Sequence, residues 1–403
     1  MSGGEPQMPA GEPHMPAGDP HQARVLYAAR AVRACAAMRR RFWTRQGRYR
    51  RDDRWRLPGS AAHLWPFARA FVATLDLAGV APELTGGFDA DARIAEHLAA
   101  LEQYWHPAGE WPAYASDVAG TRLGGDRYYD DNAWVGLALV QLERMRPGGG
   151  RLNRASELFR FAAHGWDRRP DVPSPGGVFW VEQGRGVGAR NHDRNTVSNA
   201  PNAQLGLHLA QLGHEAELDA AAAGPLQMYD WVNATLDAGS SSRSAGAAAG
   251  TPPGTGLFWD KIRGDHSIDR ALWSYNQGSM AGLNVLLARR GGDAAAVYLG
   301  RAEAIARRAL NHYAGRYAEQ PAAFNAIFFR NLLLLHAATP DEGLREGIRA
   351  AMRGYADRAW EHQRRRDDCF TLSAGPLRLL DQSAMVQILA LLAWDPRDYD
   401  QLA

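Results

Sequence analysis

Apolar residues recur along almost the whole chain at steps of three and four residues. The series Tyr298, Ala302, Ile305, Ala309 and Tyr313 is a clear example. This spacing places apolar side chains on one face of an α-helix, whereas a half-buried strand would show strict alternation. The pattern therefore predicts an all-α protein.

Breaks rich in glycine and proline separate twelve such periodic segments. The predicted helices span residues 23–43, 60–79, 90–106, 127–146, 153–168, 195–212, 216–236, 272–290, 294–313, 321–338, 341–364 and 376–394. Mostly short connections favour six helical hairpins, none of which can bury its apolar face alone. We predict that these hairpins close into an (α/α)6 barrel. An open solenoid is the alternative, but the chain lacks the fixed-length repeat that such arrays show.

The barrel is predicted to form a single domain over residues 23–403, preceded by a disordered low-complexity tail at 1–22. The tail repeats a Met-Pro-Ala-Gly-acid-Pro unit and has neither the basic start nor the apolar core of a signal peptide. No window of about 18 uninterrupted apolar residues indicates a membrane span. We expect a cytoplasmic protein, or a secreted one if translation starts at a different codon.

Composition narrows the function classes. Of the 403 residues, 46% are hydrophobic and 22% charged, which is typical of a globular protein. Lys+Arg 46 against Asp+Glu 44 leaves a net charge of +2, so no nucleic-acid partner is expected, although nine arginines lie within residues 39–56. Lys261 is the only lysine, so any Schiff-base mechanism would have to use it.

The cysteines and histidines predict neither a disulfide framework nor a metal site. Cys35 and Cys369 are expected to be buried thiols, with one bridge as the alternative if the fold brings them together. The histidines form neither an HExxH pair nor a Cys/His cluster at ligand spacing. No metal is therefore expected.

The strongest chemical signal is the segment Tyr128–Trp134, which reads Tyr-Tyr-Asp-Asp-Asn-Ala-Trp at the start of a predicted helix. Its aspartates, Asp130 and Asp131, could serve as helix caps, because first-turn amides and the helix dipole favour negative charge. Aromatic neighbours favour a sugar site instead, since sugar C–H faces stack on rings while hydroxyls bond to carboxylates. Cleavage of a glycosidic bond needs one carboxylate as nucleophile or base and another as proton donor.

Adjacent aspartates suit a retaining mechanism better than an inverting one. Neighbouring Cα atoms lie about 3.8 Å apart, so the carboxyl groups could splay to the separation of about 5 Å that retention needs. The helix N-terminus should keep one aspartate ionised while a drier pocket keeps the other protonated. Three long predicted loops, 107–126, 169–194 and 237–271, would line a cleft suited to a polymer or oligosaccharide.

Tyr129–Trp134 resembles the signature of glycoside hydrolase family 76, the endo-α-1,6-mannanases. Further segments resemble this family in the same order: Gly176–Trp180, Arg194–Pro201, Trp273–Gly278 and Phe324–Arg330. The resemblance implies an (α/α)6 barrel, retaining hydrolysis of α-1,6-mannosidic bonds and an α-mannan-type oligo- or polysaccharide as partner. It implies no cofactor. It also implies that Asp130 is the nucleophile and Asp131 the general acid/base, and we expect a monomer.

Other residues of these segments are candidates for substrate binding. Their amides could bond sugar hydroxyls or cap helices, and their aromatic rings could stack on sugars or belong to the core. An arginine could orient a carboxylate through a bidentate contact. The candidates are Tyr129, Asn132, Trp134, Trp180, Asn199, Tyr275, Asn276, Gln277, Phe324 and Arg330.

Three other functions stay open. A transglycosidase would pass the same covalent intermediate to a sugar acceptor. A carbohydrate-binding protein would keep the scaffold without turnover. An epimerase-like barrel would transfer protons through histidines, for which His208 and His336 are candidates. Asp260, after the third long loop, could be a third carboxylate of the cleft, although a helix-start or loop-packing role is favoured.

Overall fold

Two kinds of α-helix alternate along the chain. The computed structural model describes residues 19–54, 61–107, 110–118, 125–214, 223–239 and 256–403, and these contain twelve α-helices. The odd-numbered helices are α1 Pro20–Phe42, α3 Ala90–Leu101, α5 Leu152–His164, α7 Pro225–Thr235, α9 Ala295–Tyr313 and α11 Glu342–His362. The even-numbered helices are α2 Leu64–Ala78, α4 Tyr129–Met145, α6 Thr196–Gln211, α8 Ser274–Arg289, α10 Ala322–Ala338 and α12 Leu379–Ala393.

The odd-numbered helices have one buried face, and the even-numbered helices are buried on most sides. In α9 the buried residues are Ala302, Ile305, Ala306, Ala309 and Tyr313, the stripe that the sequence predicts. In α10 every residue from 322 to 335 is buried except one. A helix with a single apolar stripe lies at the surface of a protein, whereas one that is apolar all round lies inside.

The six even-numbered helices form a closed inner ring. Each packs against the next, from α2 through α4, α6, α8 and α10 to α12, and α12 packs back onto α2. The odd-numbered helices lie outside, with α1 against α12 and α5 against α4 and α6. The predicted (α/α)6 barrel is confirmed, and the contact of α12 with α2 excludes the open solenoid.

Some predicted boundaries are wrong. Helix α1 begins at Pro20, where Asp19 caps it by accepting the N–H of His21 at 2.9 Å, so residues 20–22 belong to the barrel. Residues 1–18 of the predicted tail lie outside the described part of the chain. The helix predicted over 90–106 ends at Leu101, because a 3-10 turn and a strand follow. Within predicted helix 216–236, the described residues contain only α7.

Short strands stiffen the long loops that lead into three inner helices. Strand β1 (Trp105–His106) pairs with β2 (Ala113–Tyr114) before α4. Strands β3 (Arg194–Asn195), β4 (Lys261–Ile262) and β5 (Ile268–Asp269) form an antiparallel sheet in that order. These loops therefore gather at the end of the barrel where the inner helices begin.

The C-terminal segment covers the other end of the barrel. Arg144 donates hydrogen bonds to the carbonyls of Asp400 and Leu402, at 3.1 and 3.3 Å, and Arg330 donates to that of Ala403 at 2.8 Å. Cys35 and Cys369 are buried, unbonded thiols, as predicted. Within the described residues, no helix combines the length and the apolarity needed to cross a membrane.

Candidate active site

A cleft of about 890 Å³ opens at the end of the barrel where the inner helices begin. Each inner helix contributes a residue near its start: Trp65 from α2, Asp130 from α4, Val197 from α6, Tyr275 from α8, Phe324 from α10 and Leu380 from α12. Six helix N-termini therefore converge on one volume. Their unpaired amides and aligned dipoles favour negative charge there.

Aspartates are the main charged residues of this cleft. Its lining includes Asp117, Asp126, Asp130, Asp131 and Asp260. Asp130 and Asp131 lie in the first turn of α4, whose N-cap is the preceding tyrosine and not an aspartate. The pair therefore faces the cleft and does not occupy the cap position.

The two adjacent aspartates receive unequal hydrogen bonds. Oδ1 of Asp130 accepts the backbone N–H of Asp131 at 3.0 Å, and Oδ2 accepts the indole N–H of Trp180 at 3.3 Å. Among the described residues, no donor reaches the carboxyl of Asp131. Hydrogen bonds to a carboxylate favour its ionised form, so the negative charge belongs on Asp130 and the proton on Asp131.

Burial raises the pKa of both carboxyls above the ordinary range of aspartate, and the charge of Asp130 raises the pKa of Asp131 further. The two hydrogen bonds on Asp130 oppose the effect of burial there. Two like charges side by side disfavour simultaneous ionisation. The pair can therefore supply a proton donor and an anionic nucleophile at the same pH.

Asp260 is a third carboxylate of the cleft, which corrects the loop-packing interpretation. Asn276 donates to its Oδ1 at 3.3 Å, and burial together with the nearby charge of Asp260 raises the pKa of the Tyr275 hydroxyl. Burial raises the pKa of Asp260, and the adjacent charge of Lys261 opposes this. The ammonium group of Lys261 lies 2.9 Å from Asp193.

Aromatic rings form the apolar walls of the cleft. Tyr275 stacks on Phe324 with ring centroids 3.9 Å apart, and Trp65 lies 6.0 Å from Phe324. Tyr128 packs against Trp180 at 4.9 Å. Such faces suit the C–H faces of sugar rings.

A buried side-chain amide in the first turn of three inner helices holds the loop that precedes the helix. Each amide accepts the backbone N–H of one loop residue, at 2.7–2.8 Å, and donates to the carbonyl of the same residue, at 2.9–3.4 Å. The pairs are Asn132 with Tyr114, Asn199 with Val178 and Gln277 with Phe258. We call these contacts the amide clamps.

Six of the predicted site residues line the cleft, namely Asp130, Asp131, Trp134, Trp180, Tyr275 and Phe324. Five others lie behind its wall, because successive residues of a helical turn point in different directions. Tyr129 is buried against Phe161. Asn276 bonds Asp260, and the remaining three form the amide clamps. A structural role therefore replaces the predicted direct substrate contact for Tyr129, Asn132, Asn199, Asn276 and Gln277.

Arg330 binds a carboxylate, as predicted, but not one of the cleft. Its partner is Asp76, a fully buried residue of the barrel interior, with N–O distances of 2.8 and 2.9 Å. Arg330 lies about 12 Å along α10 from its start, too deep to reach the cleft. His208 and His336 lie near the far ends of α6 and α10 and do not line the cleft. Neither histidine that was a candidate for epimerase-like proton transfer therefore lies in the cleft.

Several residues of the cleft are not predicted from the sequence. Trp65 is one of them. Its position in the cleft is predictable from the fold, because the first turns of all buried helices in a closed ring face the same end of the barrel. Asp117 and Asp126 lie on a loop. The spacing of apolar residues does not predict the path of this loop. Asp117 pairs with Nδ1 of His63 at 2.8 Å. Within the described ranges, no group of three or more His, Cys, Asp or Glu side chains could hold a metal ion.

A carboxyl pair that shares one proton between aromatic walls can protonate an acetal oxygen and attack its carbon, which is the chemistry of a glycoside hydrolase. The sequence model of glycosyl hydrolase family 76 matches residues 27–375, and the chain belongs to this family. Among curated proteins, none matches the chain by sequence.

Solved structures with the same fold include members of this family. A family 76 glycoside hydrolase (mannosidase) from Bacteroides thetaiotaomicron is 20% identical, with a TM-score of 0.73, covering 91% of this chain and 98% of its own. An inactive variant of an α-1,6-mannanase from Salegentibacter sp. HEL1_6, in complex with α-1,6-mannotriose, is 20% identical, with a TM-score of 0.67 and coverage of 91% and 99%. Dfg5 from Chaetomium thermophilum, in complex with glucosamine, is 15% identical, with a TM-score of 0.62 and coverage of 91% and 90%.

Proposed function

We propose that the protein is a retaining glycoside hydrolase that cleaves α-1,6-linked mannosides, with Asp130 as nucleophile and Asp131 as general acid/base. The observation that carries this proposal is the unequal environment of the two carboxyls. Asp130 accepts two hydrogen bonds, whereas Asp131 accepts none from the described residues. This asymmetry matches a charged nucleophile beside a protonated acid.

In the first step, the mannosyl unit rests against the aromatic walls with its anomeric carbon facing Asp130. Asp131 gives its proton to the glycosidic oxygen as the C–O bond breaks, and a carboxylate oxygen of Asp130 attacks the anomeric carbon. The products are a mannosyl ester on Asp130 and a shortened chain with a free hydroxyl. Asp131 is left ionised.

In the second step, Asp131 takes a proton from water as the water oxygen attacks the anomeric carbon and displaces the carboxylate of Asp130. Each displacement inverts the anomeric centre, so the product keeps the α configuration. Negative charge alternates between two carboxylates that both lie in the first turn of α4. The dipoles there stabilise either charged state without rearrangement.

The choice of linkage is supported by the Salegentibacter protein. Its inactive variant, in which two consecutive aspartates are replaced by asparagine, holds α-1,6-mannotriose. In the present chain, the consecutive aspartates Asp130 and Asp131 both line the cleft. The substrate class is thereby proposed from a relative with the same fold, and the mechanism from the residues of this chain.

Product analysis on linear α-1,6-mannooligosaccharides tests the proposal. Wild type is expected to give shorter chains whose newly formed reducing end is initially the α-anomer, as followed by proton NMR. Asp130→Ala and Asp131→Ala should give none. An initial β-anomer would contradict retention, and binding without turnover would indicate a binding protein or another glycan. Longer products with excess acceptor sugar would indicate a transglycosidase.

A further inference from the structure

We propose that Trp180 is the positioning residue that assigns the roles of the two aspartates, by donating its indole N–H to Asp130 and not to Asp131. This inference rests on the proposed function and deepens it. The bond joins Nε1 of Trp180 to Oδ2 of Asp130 at 3.3 Å. The other oxygen of Asp130 accepts a backbone amide, so together the two donors fix the orientation of this carboxylate.

The backbone of Trp180 is bonded on both sides. Its N–H donates to the carbonyl of Asp193 at 2.8 Å, and its carbonyl accepts the N–H of Tyr129, the first residue of α4, at 3.1 Å. Two residues earlier, Val178 is held by the amide clamp of Asn199. The loop is therefore tied directly to the helix that carries the aspartates.

Two glycines allow this loop to pass close to its neighbours. Gly176 and Gly177 have φ angles of 92° and 83°, a region that other residues rarely adopt. A Cβ on Gly176 would lie 2.6 Å from the ring of Trp166, and one on Gly177 would lie 2.5 Å from the ring of Trp231. The Gly-Gly segment is thus required for the path that brings Trp180 to Asp130.

The positioning role differs measurably from a plain stacking role. The ring of Trp180 packs against Tyr128, so a phenylalanine at position 180 would keep an aromatic face in the cleft. It would lose the N–H, and with it an interaction that lowers the pKa of Asp130. A stacking role predicts a change in KM. A positioning role predicts that the ionisation of Asp130 shifts to higher pH.

The first test compares Trp180→Phe with the control variant Trp134→Phe. Trp134 lines the same cleft but makes no hydrogen bond to either aspartate. For Trp180→Phe, kcat/KM on α-1,6-mannotetraose is expected to fall about tenfold, with its acidic limb shifted up by about one pH unit. Trp134→Phe should leave that limb in place. An unshifted limb in Trp180→Phe, or an equal shift in both variants, would overturn the inference.

The second test is an NMR titration, which does not depend on catalytic turnover. In the wild-type protein, the indole N–H resonance of Trp180 is identified as the one missing from Trp180→Phe. It should move with the ionisation of Asp130 across the pH range and stay constant in Asp130→Asn. A constant resonance in wild type would refute the inference even if mannosides are cleaved. A titrating resonance in a protein that cleaves no mannoside would leave the contact in place and reject only the proposed function.

Discussion

The ring of Tyr275 lies face to face with that of Phe324, with centroids 3.9 Å apart and planes inclined by 17°. The two residues belong to the first turns of neighbouring inner helices, α8 and α10. Burial and the nearby charge of Asp260 raise the pKa of the Tyr275 hydroxyl. One stacked pair therefore joins two helices of the ring, forms an apolar wall of the cleft and lies near its third carboxylate.

Phe324→Ala is expected to weaken substrate binding more than it slows the chemical step. An aromatic stack is worth about 0.5–1.5 kcal/mol beyond its burial, so KM on mannooligosaccharides should rise roughly tenfold while kcat changes little. Phe88→Ala is the matched control, since Phe88 is also partly buried but lies outside the cleft. Steady-state kinetics and melting temperatures of both variants check this. A lower kcat with unchanged KM would place Phe324 in the chemical step instead.

Asp131→Asn is expected to lower activity by several orders of magnitude and to stabilise the fold at neutral and alkaline pH. An aspartate whose pKa is higher in the folded protein than in the unfolded chain destabilises the fold at high pH. The loss of stability begins near the pKa of the unfolded chain, about 3.9, and is complete above the raised pKa of the folded protein. The pKa of Asp131 is raised in this way by burial and by Asp130. The variant should therefore melt above wild type at about pH 8, with a smaller difference at about pH 4.5.

Thermal melts across this pH range measure the effect. Asp293→Asn, at an exposed position, removes a charge without altering the carboxyl pair of the cleft. Its melting temperature should follow that of wild type at every pH. A variant Asp131→Asn that melts below wild type at alkaline pH would show that the ionised carboxylate stabilises the fold.

Arg330→Ala is expected to destabilise the barrel without changing the cleft. It leaves Asp76 buried and without its cationic partner, which costs about 3–5 kcal/mol in the free energy of unfolding. Arg316→Ala, which breaks an exposed pair with Glu319, should leave the free energy of unfolding nearly unchanged. Urea denaturation measures both. The KM of the folded Arg330→Ala protein should equal that of wild type, and an altered KM would contradict the separation of the two sites.

Asn199→Leu is expected to loosen the loop that carries Trp180. Losing the bonds to Val178 should cost about 1–3 kcal/mol and accelerate hydrogen exchange of the amide of Val178. The kcat should fall because the donor to Asp130 is less well placed. Asn233→Leu removes an amide bonded to a carbonyl of its own helix and is the control. Unchanged exchange at Val178 would show that the clamp does not hold this loop.

The helices of the barrel were predictable because burial has a period in the sequence. The stripe of α9 and the continuous apolar character of α10 follow from residue order alone. Closure of the ring was inferred from the number of hairpins. Boundaries were less accurate at Leu101, where the chain turns into a strand, because that turn depends on pairing between Trp105 and Tyr114.

The site was predictable where chemistry is concentrated in a short segment, as at Asp130 and Asp131. It was not predictable which polar residues of the same turns contact solvent. Asn199 and Gln277 resemble sugar-binding amides in sequence, but each faces a loop backbone. Asp117 and Asp126 reach the cleft through loop geometry, which no local pattern records.

The amide clamps have a consequence for how such a protein can change over evolutionary time. Each clamp recognises backbone atoms of the loop and not its side chains. The loops can thus accept new sequences on either side of a clamped residue while the barrel keeps a fixed docking point for each. Exchanging whole loops between relatives that retain the clamping amide is therefore a practical route to new glycan specificity on an unchanged frame.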